Sequence, residues 1–256
     1  MGIIKTKGIV LVESNMGDSD KMITLLTPGL GKIGCAAKGA RKPKSALLAG
    51  TQYLCFADYI LFEGNNTYNI NSCDIIEIFY NLRIDLDKLE SAANITKIVN
   101  DVATENENNY KTLQLLLNTL YMISETEMNK ELVTSIFKMR LTSILGYTPQ
   151  VEKCVTCGEK ENITHFSIKD NGFKCKECSK QDRGAITMSK GTRDGIKYTI
   201  MAPPKKLFGF NITEECIQEY KIISMIYLNE KLEKEYKWTY DVFGDGCFWG
   251  RRQKTA

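Results

Sequence analysis

The chain has one histidine, five prolines and two tryptophans in 256 residues. A single imidazole, His165, removes most familiar hydrolytic machinery. A zinc hydrolase of the His-Glu-x-x-His type needs two histidines on one helix face. The nucleobase-deaminase signature needs His-x-Glu, whereas Phe166 and Ser167 follow His165. Nothing in the sequence sets His165 beside a Ser or Cys nucleophile. No Gly-x4-Gly-Lys-Ser/Thr loop occurs, so P-loop nucleotide hydrolysis is not expected. Gly29-Leu30-Gly31 reads as a turn between strands. The acidic pairs Asp85/Asp87 and Glu214/Glu215 fall at helix starts, where they serve the helix dipole. No catalytic constellation emerges, and the expectation is a protein that binds rather than catalyses.

Long apolar runs are also missing. None approaches the roughly 18 residues of a membrane span. Ile9–Val12 is too short for the core of a signal peptide. The expected compartment is therefore cytoplasmic and reducing, without a membrane partner. Met1-Gly2-x3-Thr6 fits a myristoylation pattern but runs straight into a strand.

What is present is ordinary in bulk, with 43% hydrophobic and 25% charged residues, which suffices for a packed core. The net charge is only +3, and its distribution matters more than its sum. Lys32, Lys38, Arg41, Lys42 and Lys44 fall within residues 31–50, which contain no acid. Residues 45–80 contain no Lys or Arg and four acids, Asp58, Glu63, Asp74 and Glu77. A near-neutral chain thus carries one concentrated basic loop, Lys38–Ser45.

Nine cysteines is an odd number, which argues against a fully paired disulfide framework. Four of them form Cys154-x2-Cys157 and Cys175-x2-Cys178, the spacing of a four-thiolate zinc site. Each pair sits on a tight knuckle and offers two corners of a tetrahedron. Four thiolates close the site to water, so one structural Zn2+ is expected. His165–Lys169, the turn Asp170-Asn171-Gly172 and Phe173–Cys175 predict a hairpin between the knuckles. Cys35, Cys55, Cys73, Cys216 and Cys247 are scattered and read as small apolar residues.

Hydrophobic periodicity divides the chain. Five short β-rich runs, Ile3–Glu13, Met22–Leu26, Lys32–Ala37, Gln52–Phe62 and Thr67–Phe79, predict a five-stranded barrel of the OB type. From residue 82 the period changes to helical. Three apolar stripes run through Leu82–Val102, Tyr110–Tyr121 and Leu132–Leu145, with Gly146 as a helix stop. Thr187–Thr199 and Thr213–Glu235 read as further helices, with Thr213 as an N-cap. The fold class is α+β, with residues 1–80 an OB domain and 81–150 with 180–240 a helical bundle. Residues 151–179 form an inserted zinc module, and 245–256 read as a flexible tail. OB barrels hold single strands with a positive groove and stacking rings. Lys38, Arg41, Lys42 and Lys44 would supply phosphate contacts here; Tyr53, Phe56, Tyr59, Phe62 and Tyr68 are aromatic residues nearby, most of them expected in the core.

Three stretches carry a family resemblance: Gly17–Gly39, the loop Lys38–Ser45, and Arg140-x4-Leu145-Gly146-Tyr147 leading to Cys154-x2-Cys157. Over residues 1–240 the chain resembles bacterial RecO proteins, recombination mediators of DNA repair. The resemblance implies binding to single- and double-stranded DNA and annealing of complementary strands. It also implies contact with the acidic C-terminal tail of single-stranded DNA-binding protein (SSB), and loading of RecA together with RecR at the nucleoid. It carries DNA contact to Lys38, Arg41, Lys42 and Lys44, and more weakly to Lys32 and Lys5. Where the family often has Arg, this chain has mostly Lys, a point charge rather than a fork. The alternative is a zinc-ribbon protein-interaction module without direct DNA activity.

Overall fold

The computed structural model describes residues 2–64 and 67–236. The expected tail, 245–256, and Cys247 lie outside the described residues. Strands β1 (Ile3–Met16), β2 (Asp20–Thr27), β3 (Gly31–Ala37), β4 (Phe56–Glu63) and β5 (Tyr68–Glu77) close into a barrel ordered β1-β2-β3-β5-β4. All pairs are antiparallel except β3 with β5. Closure leaves no unpaired edge to template aggregation. β1 is long enough to pair with β4 through Ile3–Ile9 and with β2 through Ile9–Met16. The interior is filled by alternate residues such as Val10, Ile23, Leu25, Ile33, Tyr59 and Leu61.

Residues 52–55, expected in the fourth strand, form a turn instead. Leu54 there has φ 64°, a left-handed conformation that a strand cannot hold. Its side chain is fully buried in the core shared with the helices, which offsets that cost.

The helical part comprises α1 (Tyr80–Ile84), α2 (Leu86–Val102), α3 (Tyr110–Glu125), α4 (Lys130–Ile144), α5 (Lys176–Ser179), α6 (Lys190–Met201) and α7 (Glu214–Leu232). The single stripe read from Leu82 to Val102 is broken at Asp85. That residue is extended, and its side chain accepts the Lys88 N–H at 3.0 Å, capping α2. Thr213 precedes α7 but does not cap it, because its hydroxyl donates to Cys216 Sγ at 3.2 Å. Gly146, with φ 97°, ends α4 as expected. α4 is the central element and buries residues on nearly every side.

A small sheet, ordered β7-β6-β8, joins β6 (Ile163–Ser167), β7 (Gly172–Cys175) and β8 (Ile186–Thr187). Thr187, expected to open a helix, pairs with His165 instead. The helix begins after Ser189, whose side chain accepts the Thr192 N–H. Phe166 packs edge-on against Phe173 and Tyr227, with centroids 6.1 and 5.3 Å apart. One continuous core therefore runs from the outer side of the barrel, at Ile9 and Leu26, through the helices into this sheet.

The barrel is also bolted to the helices by backbone. Lys32 N–H donates to Thr104 O, Asn106 N–H to Leu30 O and Asn109 N–H to Pro28 O. Gly31, at φ +70°, sits where a Cβ would lie 2.2 Å from Thr104 O. Only glycine permits that approach. No helix among the described residues is long and apolar enough to cross a membrane.

Candidate nucleic-acid interface and metal centre

The basic loop is held in shape by the turn between β1 and β2. Asp20 Oδ1 accepts the Gly39 N–H at 2.7 Å. Arg41 N–H donates to Ser19 O at 3.0 Å, and its guanidinium to Gly17 O at 2.8 Å. Lys42 N–H and Ser45 N–H close successive turns onto Gly39 O and Lys42 O. Gly17 and Gly39 both have φ above +60° or equal to it, so both tight turns favour glycine. Lys38, Arg41, Lys42 and Lys44 are all exposed. Among the described residues, none of the four takes part in a salt bridge. Four exposed cations on one ordered loop, without carboxylate partners among the described residues, make the local potential positive.

The structure does not gather the two weaker candidates there. Lys32 begins β3, whereas Lys38 follows its end, about 20 Å away along the strand. The Lys32 ammonium donates to Asn100 O at 2.6 Å and helps bind the barrel to α2. Lys5 is exposed but lies in the half of β1 that pairs with β4, opposite Ile60.

The five aromatic residues near the loop in sequence are turned inward or partly covered, as expected for most of them. Tyr59 is 1% exposed and donates to Gly50 O at 2.6 Å. The Tyr53 hydroxyl bonds to that of Thr96. Phe56, Phe62 and Tyr68 are half-buried. Alternation along β4 places Tyr59 with Ala57 and Leu61 in the barrel interior, where a ring gains most from burial. Sequence reasoning also passed over Asp20 and Gly17. No local signal links Asp20 to the loop, because the rest of β2 and all of β3 lie between them in the chain.

The four expected ligands converge. The sulfur atoms of Cys154, Cys157, Cys175 and Cys178 all lie within 4.8 Å of one another. Cys157 Sγ and Cys175 Sγ are 3.8 Å apart. Four thiolates about 2.3 Å from one zinc ion stand about 3.8 Å apart, so the spacing fits. Each knuckle has its own turn. Gly158 N–H donates to Cys154 O with φ +79°, and Cys178 N–H points to Cys175 Sγ at 3.5 Å. Burial works against a charge on Cys154, but N–H groups of Cys157, Cys175 and Thr156 outweigh it and bring its pKa down to about 6. Sulfur hydrogen bonds from Cys157 and Cys175 push Cys178 up to about 12. Clustered thiols cannot all ionise unaided, and a dication removes that conflict. His165 is not part of the set, since its ring nitrogens face the hydroxyls of Thr164 and Thr187.

Near the cluster, the buried Lys174 ammonium is held by Asp170 at 2.5 Å and Asp182 at 3.0 Å. Asp182 also accepts from Ser167 Oγ at 2.5 Å. Arg140, noted for its place in the sequence, is structural. Its guanidinium donates to Thr199 O, Ile200 O and Ala202 O and closes the end of α6.

Two cavities among the described helical residues differ in charge. One, of about 490 Å³, mixes Lys88, Lys130, Lys138 and Lys221 with Asp85, Asp87, Glu127 and Glu131. The other, of about 550 Å³, has no acid in its lining and includes Lys111, Arg140, Leu115, Ile144 and Leu207.

Comparison with known proteins agrees with this architecture. Residues 1–79 match the family model for the recombination protein O N terminal, and 83–239 that for the recombination protein O C terminal. The chain is 42% identical over 237 residues to the DNA repair protein RecO of Acetivibrio thermocellus, covering 92% of this chain and 94% of that protein. It is 34% identical to the DNA repair protein RecO of Alkaliphilus metalliredigens, covering 92% and 91%. The corresponding protein of a Thermoanaerobacter species is 32% identical, covering 93% and 96%.

Proposed function

The chain belongs to the RecO family of DNA repair proteins, and on that premise we propose that it is a non-enzymatic mediator that binds single- and double-stranded DNA and anneals complementary strands. Residues 1–80 are the DNA-binding domain in this reading. The observation that carries it is the ordered loop with four exposed, acid-free cations, Lys38, Arg41, Lys42 and Lys44. Phosphate contacts there lower the repulsion between two strands held on one protein. Lys5 and Lys32 contribute at most at the edges of the bound strand. One Zn2+ held by Cys154, Cys157, Cys175 and Cys178 supplies folding energy to the module at 151–179 and no chemistry.

The helical part, 81–150 with 180–240, recruits partners. The acid-free cavity, with Lys111 as the cation not tied to the end of α6, suits the acidic tail of SSB better than the cavity of mixed charge. RecR joins the protein to load RecA onto coated strands, at the nucleoid in the cytoplasm. A fluorescence annealing assay across a salt series, with and without SSB, tests the reading. Annealing should be fast at low salt, fall with salt, and survive coating of the strands. An annealing rate equal to that of free DNA at every salt concentration would remove it.

A further inference from the structure

The outward face of the barrel next to the basic loop carries no aromatic ring. Its rows follow from the strand registers. Met16 faces Asp20, Ser14 faces Met22, and Val12 faces Thr24. Across the next pair, Met22 faces Ala36, Thr24 faces Gly34, and Leu26 faces Lys32. The alternate residues Ile23, Leu25, Ile33, Cys35 and Ala37 point into the barrel. What remains outside is a shallow floor of Ser14, Met22, Thr24 and Gly34, with Ala36 buried beside it. Lys38 and its loop stand at one end, and Lys32 at the other.

Gly34 is the informative residue on this floor. It is exposed in the middle of β3. Its backbone is outside the left-handed region, and an added Cβ would meet nothing within 4 Å. Neither conformation nor packing calls for glycine there, and glycine weakens a strand. Such a glycine marks a place where a ligand or another backbone comes close to the sheet.

We propose that a DNA strand lies along this floor by its sugar-phosphate backbone, gripped by Lys38, Arg41, Lys42 and Lys44, with its bases turned away from the protein. This rests on the DNA-binding reading above and adds which part of the strand is recognised. An OB barrel that stacks bases on its rings must release them before they can pair. The outward rows of β1, β2 and β3 here carry no ring, so a strand bound along them presents its bases for pairing. The same grip accepts a duplex, whose phosphates are equally accessible.

The test compares two labelled strands of equal length, oligothymidylate and an abasic phosphodiester, binding the full chain by fluorescence anisotropy. One base on a ring is worth about fivefold to a hundredfold in affinity. The expected result is affinities within about threefold and equal salt slopes. A preference for oligothymidylate of about tenfold or more overturns the proposal. Failure to bind either strand removes the reading of the basic loop itself, a distinct outcome. A second arm uses Thr24→Glu, which places a carboxylate on the floor beside the path of the phosphates. It should weaken oligothymidylate and the abasic strand alike, by about fivefold at low salt. If Thr24→Glu leaves both affinities unchanged, the bound strand does not cross this face and the proposal fails.

Discussion

The Asp20 carboxylate accepts the Gly39 N–H at 2.7 Å, joining an acid of one turn to the backbone of the cationic turn beside it. A negative charge next to the proposed phosphate contacts is an electrostatic cost. Here it fixes the loop that carries Lys38, Arg41, Lys42 and Lys44. The two effects can be separated by substitution. Asp20→Asn keeps an acceptor and removes the charge, so strand affinity should hold or rise. Asp20→Ala removes both, and loss of one ordering hydrogen bond of about 1 kcal/mol should lower affinity roughly fivefold. Equal behaviour of the two variants in a binding titration would show that the bond does not organise the loop.

The loop's charges make a prediction about salt. Four phosphate contacts on a single strand give a slope of log affinity against log salt near −2.8, or about a 50-fold loss from 50 to 200 mM. Replacing Arg41, Lys42 and Lys44 together with Ala should flatten the slope to about −0.7. The barrel should remain folded, because all three side chains are exposed. An unchanged slope would place the phosphate contacts elsewhere.

The metal site predicts a local, not global, dependence on zinc. Elemental analysis should find one zinc per chain, held by Cys154, Cys157, Cys175 and Cys178. Cys175→Ser with Cys178→Ser should abolish that stoichiometry and expose the amides of β6 and β7 to hydrogen exchange. The apparent contribution at stake is on the order of 10 kcal/mol for the segment. The disturbance should reach α7 through Phe166 and Tyr227. The barrel amides should keep their protection, and oligothymidylate binding should stay within about threefold.

Acid stability should depend on Glu131. Burial raises its pKa, but hydrogen bonds from Lys221 at 2.9 Å and Gln218 at 2.6 Å more than offset this, and the net shift is downward. A carboxylate with a depressed folded pKa contributes stability above its unfolded value, about 4.3. That contribution disappears as pH falls from there through the folded pKa. Denaturant unfolding between pH 6 and 3 should therefore show a steeper loss for the native chain than for Glu131→Gln. Identical pH profiles would mean that the link between α4 and α7 carries no net charge energy.

Much of this was written locally in the chain. The two Cys-x2-Cys knuckles specify their site because a tetrahedral ion needs only four thiols on two tight turns. Helix and strand periods mark the change from barrel to bundle near residue 80. The basic loop stands out because charge sorting is a property of sequence alone. Where local signals competed with distant partners, they failed. Thr187 looked helical but was claimed by His165 across a strand pair. Thr213 looked like a cap but gave its hydroxyl to Cys216.

Folding alone settled which charges and rings face solvent. Lys32 and Lys38 are alike as residues, yet one is tied to Asn100 O and the other is free of ion pairs. Tyr59 and Phe62 belong to one aromatic run, but alternation sends the first into the barrel and leaves the second half-covered. The sequence determined that there would be a closed thiolate site, a barrel, a bundle and one cationic loop, because these follow from spacing, periodicity and composition. Tertiary structure decided that Asp20 would hold that loop and that the outward rows beside it would carry Thr24 and Gly34 rather than aromatic rings. The physical reason is that side-chain direction and long-range hydrogen bonds depend on which strands become neighbours.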